Sequence, residues 1–228
     1  MRKLQWDSDF WGIEIFQIDD ATDFDIDRLL NNPPFIQALP NVSDLNFIHF
    51  LESNGFLFKE SKVTLYKNQI NKLTDRINSF QQLSSKEIES YQQKFYVLFG
   101  KNSRYNIFPK NKVNKFYYTW VLNSIDGKMD DKCIGYYVDQ HLAGFVTYRT
   151  RNKEISIGLL AVMPEFQGKG VSQLLLGYID RVAIENDVSS VNISTQGTNI
   201  SALNAYIKNG FKIKRIDHWY YYTKGVSK

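Results

Sequence analysis

The chain has 228 residues, 43% hydrophobic and 23% charged, the balance of a soluble globular protein long enough for one large domain or two small ones. Its single cysteine, Cys133, excludes an internal disulfide and any zinc site built on several thiolates. No apolar run reaches membrane-spanning length, and the opening "MRKLQWDSDFWG" lacks the apolar centre of a signal peptide, so a cytoplasmic protein that engages no membrane is expected.

The net charge of +4 is modest, but its distribution is uneven: from Ser90 to Ile125 there is no Asp or Glu, while Lys94, Lys101, Arg104, Lys110, Lys112 and Lys115 all fall there. Tyr105, Phe108, Phe116, Tyr117 and Trp120 interleave with them. Such a strip is either a solvated basic face beside core aromatics or a wall that binds an anion and stacks a base. The near charge balance elsewhere argues against a nucleic-acid partner.

In chain order, the turn signal "NNPPF" at 31–35 falls within a first α+β segment. "SSKEIESYQQKFYVLF" opens with a capping box, Ser84 and Glu87, stapled by Leu83 and Ile88, and predicts one helix. "VNKFYYTWVLNSI" predicts a second, with Phe116, Tyr117, Trp120 and Val121 on one face. "CIGYYVD", "AGFVTYRT" and "EISIGLLAVM" read as three strands. A helix follows with Val171, Leu174, Leu175, Tyr178, Ile179 and Val182 in an apolar stripe, then the strand "SVNIST". "NISALNAYIKNG" is a helix with Asn199 as N-cap and Gly210 as its stop, and "FKIKRIDHWYYYTK" reads as a strand pair. Residues 50–67 echo 205–224: each has a helix end, Asn-Gly-Phe, strand, turn and strand, with Leu51 where the second copy has Tyr206.

Between the third of those strands and its helix stands "PEFQGKGVSQLLL", two glycines around a lysine at a helix threshold. Glycine there costs stability unless something must approach the backbone, and a helix N-terminus attracts phosphate. The loop is neither a Walker motif nor a dinucleotide fingerprint, since Val171 follows Gly170 and Gln173 takes the third-glycine position. With "NISALNAYIKNGF" some thirty residues on, it resembles the GNAT superfamily of acyl-CoA N-acyltransferases. The family's Gln/Arg-x-x-Gly-x-Gly/Ala loop is matched by Gln167, Gly170 and Ser172, the serine being a small departure. Its Asn-x-x-Ala-x-x-x-Tyr-x-x-x-Gly-Phe signature is matched by Asn199, Ala202, Tyr206, Gly210 and Phe211. "LQWDSDFWGIEI", "NSRYNIFP" and "ISIGLLA" are further similar to bacterial nucleotide-sugar N-acetyltransferases, including those that act on dTDP-4-amino-4,6-dideoxygalactose for surface polysaccharide.

The resemblance implies an α/β (α+β) GNAT fold, a mixed central sheet flanked by helices, with a small N-terminal α+β unit: residues 1–72 and then an acyltransferase domain, 73–228. It implies an acyl-CoA co-substrate, acetyl-CoA or a short hydroxyacyl-CoA, with no metal. The thioester would lie along Leu160, Ala161 and Val162, and the diphosphate on Gln167, Gly168, Lys169, Gly170, Val171 and Ser172, with Asn199 contacting cofactor or substrate. Tyr206 would be the general acid, since a phenol pKa of about 10 lies near that of a thiol. Ser103, Arg104, Tyr105, Lys112, Tyr117 and Trp120 would hold a dTDP-linked 3- or 4-amino-dideoxy sugar, and the resemblance allows a homodimer, the sequence itself not fixing the oligomeric state. No general base is singled out among His49, His141, His218, Asp131, Glu14 and a water relay. The competing readings are a peptide or protein N-acetyltransferase of the same fold, a non-catalytic acyl-CoA-binding module, and a nucleic-acid-binding protein resting on the basic strip alone.

Overall fold

In the computed structural model, which describes residues 1–24, 35–68, 79–100 and 103–223, the chain divides into two compact, interleaved units. The first is Met1–Val63, Gln196–Thr198 and the chain from Arg215 on; the second is Thr64–Thr195 and Asn199–Lys214. The 72/73 division expected from the sequence, residues 31–34 of the turn signal, and Lys101 lie outside the described residues.

In the first unit, β1 (Arg2–Lys3), α1 (Gln5–Trp11), β2 (Ile15–Ile18), β3 (Phe35–Ala38) and α2 (Leu45–Ser53) lead into β4 (Leu57–Lys67). Strand β3 runs parallel to β2, and its other neighbour is antiparallel β10 (Lys212–Tyr222), which returns from the second unit. Phe16, Ile18, Ile36, Phe47, Leu51, Phe56, Tyr220 and Tyr222 pack together as this unit's core. The "strand, turn and strand" expected after each Asn-Gly-Phe is a correction: β4 and β10 are each one unbroken strand. Neither contains glycine, proline or a residue of positive φ with which to turn.

The echo itself is real in three dimensions. Helices α2 and α6 (Ile200–Lys208) each begin on a side-chain cap, Asp44 to the Phe47 N–H and Asn199 to the Ala202 N–H. Each ends in a left-handed glycine, Gly55 (φ 81°) and Gly210 (φ 86°). Phe56 N–H then donates to Leu51 O, and Phe211 N–H to Tyr206 O.

The second unit contains β5 (Phe80–Gln82), α3 (Ser85–Glu89), α4 (Lys110–Ile125), β6 (Lys132–Val138), β7 (His141–Arg151), β8 (Glu154–Val162), α5 (Val171–Glu185), β9 (Ser190–Gln196) and α6. Strands β5 to β8 are antiparallel neighbours and β9 lies parallel to β8, which makes the sheet mixed, as expected. The β6–β7 and β7–β8 turns place Asp139–Gln140 and Asn152–Lys153 at positive φ, the twist that two-residue hairpins demand. Ser84 and Glu87 do form a capping box, but the helix they open stops at Glu89 and gives way to a 3-10 turn and a π-helix, Tyr96–Gly100. The single helix expected over this stretch is therefore corrected. Asn114 of α4 accepts from the Tyr96 N–H at 2.7 Å and donates to Gln92 O at 2.7 Å, occupying backbone groups that a continuous helix would have used itself.

Lys67 at the end of β4 and Asp180 of α5 form an ion pair at 2.5 Å with both side chains 3% exposed. Burial pushes the Asp180 carboxyl above its ordinary value, against the pull of Lys67. The ammonium also lies over the Phe211 ring, 5.6 Å from its centre, so the pair pins α5 to the corner that follows α6. Asp180→Asn should cost about 3–5 kcal/mol, because it strands a buried ammonium. Urea denaturation should show that loss, and the double variant Lys67→Met/Asp180→Leu should recover most of it.

Candidate active site

Strand β8 departs from regular pairing at one place. Val146 opposes Leu160 and Tyr148 opposes Ile157, so Gly158 and Leu159 together face Thr147 in a β-bulge. The Thr147 hydroxyl takes the Leu159 N–H at 2.9 Å and donates to Asp130 Oδ2 at 2.7 Å. Asp130 Oδ2 also accepts from Trp120 Nε1 (3.2 Å) and Ser124 Oγ (3.0 Å) of α4. A Cβ on residue 158 would stand 2.3 Å from that oxygen, so only glycine fits there.

Parallel pairing of β8 with β9 runs from Glu154–Ser190 to Ile157–Ile193, while β8 continues to Val162 and β9 to Gln196. The strands part at the bulge. Each parted end leads toward a helix N-terminus, β8 toward α5 and β9 toward α6, the crevice at strand carboxyl ends where α/β sheets bind ligands.

The loop into α5 is exposed, and Gly168 and Gly170 have φ of 74° and 80°. A Cβ at either would meet nothing within 4 Å. Their glycine is thus required first by the left-handed backbone, and the open space beside them is available to a ligand. Helix α5 starts with no side chain capping its first turn, which leaves its leading N–H groups unpaired at the positive end of the dipole. Gln167 Nε2 donates to Val162 O at 3.3 Å, tying the loop to the end of β8, and the Lys169 ammonium lies over the Phe166 ring. Leu160 and Val162 are half-buried, Ala161 is buried, and Val171 is buried beneath a half-buried Ser172.

Tyr206 lies on the inner face of α6, 6% exposed and against Phe211. Its hydroxyl bonds to none of the described residues and is not among the sealed polar atoms without a partner, so it is open on one side. Burial pushes its phenol above the ordinary value, which makes the match to a thiol less even than for a free tyrosine. Asn199 also serves the fold: its Oδ1 caps α6 at the Ala202 N–H and one Nδ2 hydrogen goes to Thr195 Oγ1 at the parted end of β9, roles compatible with a further contact through the second N–H.

In the basic strip, Ser103 and Tyr117 are buried with their hydroxyls 2.8 Å apart, so they build the wall rather than face outward. The Arg104 guanidinium stacks over Tyr105 at 4.2 Å, Tyr105 meets Phe116 at 4.5 Å, Trp120 is half-buried and Lys112 is exposed. Most of the candidate bases have partners of their own. Glu14 pairs with Lys3, and Asp131 with Arg151; burial pushes the Asp131 carboxyl up, but hydrogen bonds from Arg151 and the Thr150 N–H together with the charges of Arg151 and Arg149 hold it below its usual value. His141 bonds Asp139 O, His218 bonds Ser61, and His49 is exposed on α2. Asp130 was not legible as a site residue; the one hint was a glycine, Gly158, inside an otherwise β-branched and leucine-rich strand. Among the described residues, no three metal-binding side chains gather and no helix is long and apolar enough to cross a membrane.

Residues 90–211, more than half of the chain, match the acetyltransferase (GNAT) family. Over 100 residues the chain is 32% identical to streptothricin acetyltransferase of Escherichia coli, a match that takes in 43% of this chain and 58% of that protein. Over 224 residues, 96% of both chains, it is 25% identical to dTDP-fucosamine acetyltransferase of E. coli O6:H1. Among solved structures it resembles the PaiA N-acetyltransferase of Thermoplasma acidophilum in complex with coenzyme A, with a TM-score of 0.50 at 17% identity over 61% of this chain and 96% of that one.

Replacing Gly170 tests the loop. Gly170→Val, forced into a left-handed conformation that a β-branched residue resists, should weaken coenzyme A binding at least tenfold, about 1.4 kcal/mol. Gly170→Asn, which tolerates that backbone, should stay close to the parent. Calorimetric titration decides, and equal affinities for all three would remove the loop from the binding site.

Proposed function

The chain belongs to the acetyltransferase (GNAT) family, and from that premise we propose that it is an acyl-CoA-dependent N-acyltransferase whose acceptor is the amino group of a dTDP-linked amino-dideoxy sugar. The observation that carries the acyl-CoA part is the uncapped start of α5 behind two left-handed glycines. N–H groups of residues 168–172 suit a diphosphate, with Gln167 and Lys169 at the rim. The edge of β8 that parts from β9 offers backbone at Leu160, Ala161 and Val162 to the amide-bearing arm that ends in the thioester. Acyl-CoA supplies an activated acyl carbon; the protein's task is to hold it and deliver a proton.

In the transfer, a C–N bond forms and the C–S bond breaks. Tyr206 gives its hydroxyl proton to the departing sulfur, and the phenolate takes back the proton shed by the newly acylated nitrogen, so the tyrosine is restored. Its raised pKa keeps that proton in place until a base as strong as a thiolate appears. Turnover should therefore show no loss of this group up to about pH 10, the ordinary phenol value.

The acceptor reading is supported by the end-to-end likeness to a dTDP-fucosamine acetyltransferase and by the acid-free strip, where Arg104 and Lys112 would face the sugar's diphosphate and Tyr105 or Trp120 its base. Transfer to the cytoplasmic pool of nucleotide sugars would place the product in surface polysaccharide synthesis, and a homodimer would fit the family. A second acceptor, the amine of streptothricin, is favoured by the higher but shorter identity.

Two measurements test the proposal. Release of free coenzyme A from acetyl-CoA should be fastest with dTDP-fucosamine when streptothricin, spermidine and a short peptide are offered in parallel; preference for any of the others overturns the sugar assignment. Tyr206→Phe should lower kcat by about 10²–10⁴, the usual contribution of a positioned proton donor. Its stability should shift by no more than roughly 1 kcal/mol. A Phe variant with near-normal turnover would remove Tyr206 as the acid.

A further inference from the structure

Buried carboxylates in this protein are generally matched to cations: Asp180 has Lys67 and Asp217 has Arg215. Asp130 is the exception. It is 4% exposed, yet among the described residues no Lys, Arg or His pairs with it. The next residue, Asp131, sits further out and takes Arg151. A buried charge without a counter-charge is costly, and three neutral donors repay only part of that cost.

The arrangement is also lopsided. All three donors, from Trp120, Ser124 and Thr147, converge on Oδ2. Oδ1 receives none from the described residues, and it is not one of the sealed polar atoms. Gly158, half-exposed and without a side chain, lies against both oxygens, a Cβ there standing 2.3 Å from Oδ2 and 2.9 Å from Oδ1, at the bulge where β8 begins to part from β9. The indole of Trp120 borders the same carboxylate. Ser156, next along on that side of β8, is paired in register with Asn192, whose Nδ2 is buried and unbonded.

We infer that Asp130 Oδ1 is the docking point for the acceptor's amino group. An acceptor-only oxygen bearing negative charge requires a donor, and a cationic one best completes the buried pair. The amine meets it as ammonium, gives one proton to solvent before it attacks, and once neutral keeps one N–H on the same oxygen. The nitrogen is thus held beside the bulged segment of β8, next to the edge proposed for the thioester. The three donors on Oδ2 fix the carboxylate's plane, so Trp120, Ser124 and Thr147 are positioning residues. A site built this way accepts amines and rejects the corresponding alcohols, which offer one weaker donor and no charge. The inference rests on the N-acyltransferase reading but not on which amine is the substrate.

Asp130→Asn keeps an oxygen for the three donors and replaces the open oxygen with an N–H2 group that repels an amine. The assay uses whichever of dTDP-fucosamine, streptothricin and spermidine the wild-type enzyme acetylates fastest. The KM for that amine should rise by about tenfold or more, as when a hydrogen-bonded charge contact is lost. The KM for acetyl-CoA and the melting temperature should hold. A folded Asn variant with an unchanged amine KM overturns the inference. Should the variant fail to fold, calorimetry on the wild-type protein serves: dTDP-fucosamine should bind at least about tenfold more tightly than dTDP-fucose, which carries a hydroxyl at the same carbon. Equal binding of the two overturns the inference equally. A wild-type enzyme that acetylates only streptothricin or spermidine removes the sugar assignment and leaves the Asp130 test intact, with the KM comparison made on that amine. One inert toward all three removes the functional reading and this inference with it.

Discussion

Strand β8 cannot satisfy both of its neighbours beyond Ile157, and the site depends on that constraint. Two residues, Gly158 and Leu159, oppose Thr147 of β7, so the strand's register with β7 shifts by one residue while its in–out alternation continues unbroken. Pairing with β9 ends at the same level. Backbone groups that a regular sheet would have consumed are left along Leu160 to Val162, beside the loop that opens α5. The bulge is no accident of packing: the Thr147 hydroxyl takes the Leu159 N–H, and Asp130 beneath it ties the strand to α4. Glycine at 158 is the other half of the device, because any side chain would collide with that carboxylate.

Charge is handled differently in three parts of the second unit. Lys67 and Asp180 neutralise each other in the interior and join α5 to the corner beyond α6. At the α5 threshold the positive charge is partial, made of unpaired N–H groups and a dipole, with Lys169 nearby. At Asp130 a buried carboxyl stands without a cation among the described residues. A diphosphate-bearing acyl donor and an amine acceptor are complementary to the last two. The electrostatics of these two places therefore suit the acyl donor and the amine acceptor proposed for them before any shape is considered.

The two Asn-Gly-Phe corners share one backbone design and differ in the side chain at its centre. Helices of equal length, caps of the same kind and left-handed glycines recur at α2 and α6. The inward residue that accepts the phenylalanine N–H is Leu51 in one and Tyr206 in the other. Leu51 closes a hydrocarbon core; Tyr206 presents a hydroxyl with no partner among the described residues. Backbone geometry alone makes a good corner, and one oxygen atom separates packing from a candidate acid.

Much of this was legible in one dimension because it is local. Caps, left-handed glycines, hairpin turns and the stripe of α5 depend on neighbours within a few residues, and "QGKGVS" and "NISALNAYIKNGF" carry their geometry with them. Where a partner lay far along the chain, local reading went astray. Beyond the helix opened by Ser84, which ends at Glu89, Asn114 takes the Gln92 and Tyr96 backbone groups that a continuation would have joined, and β10 runs straight because nothing within it can turn. Asp130 illustrates the limit most clearly: its neighbours Trp120, Ser124, Thr147 and Gly158 are spread over two strands and a helix. That no cation among the described residues pairs with it is a property of the space around it, and only the folded chain determines what that space contains.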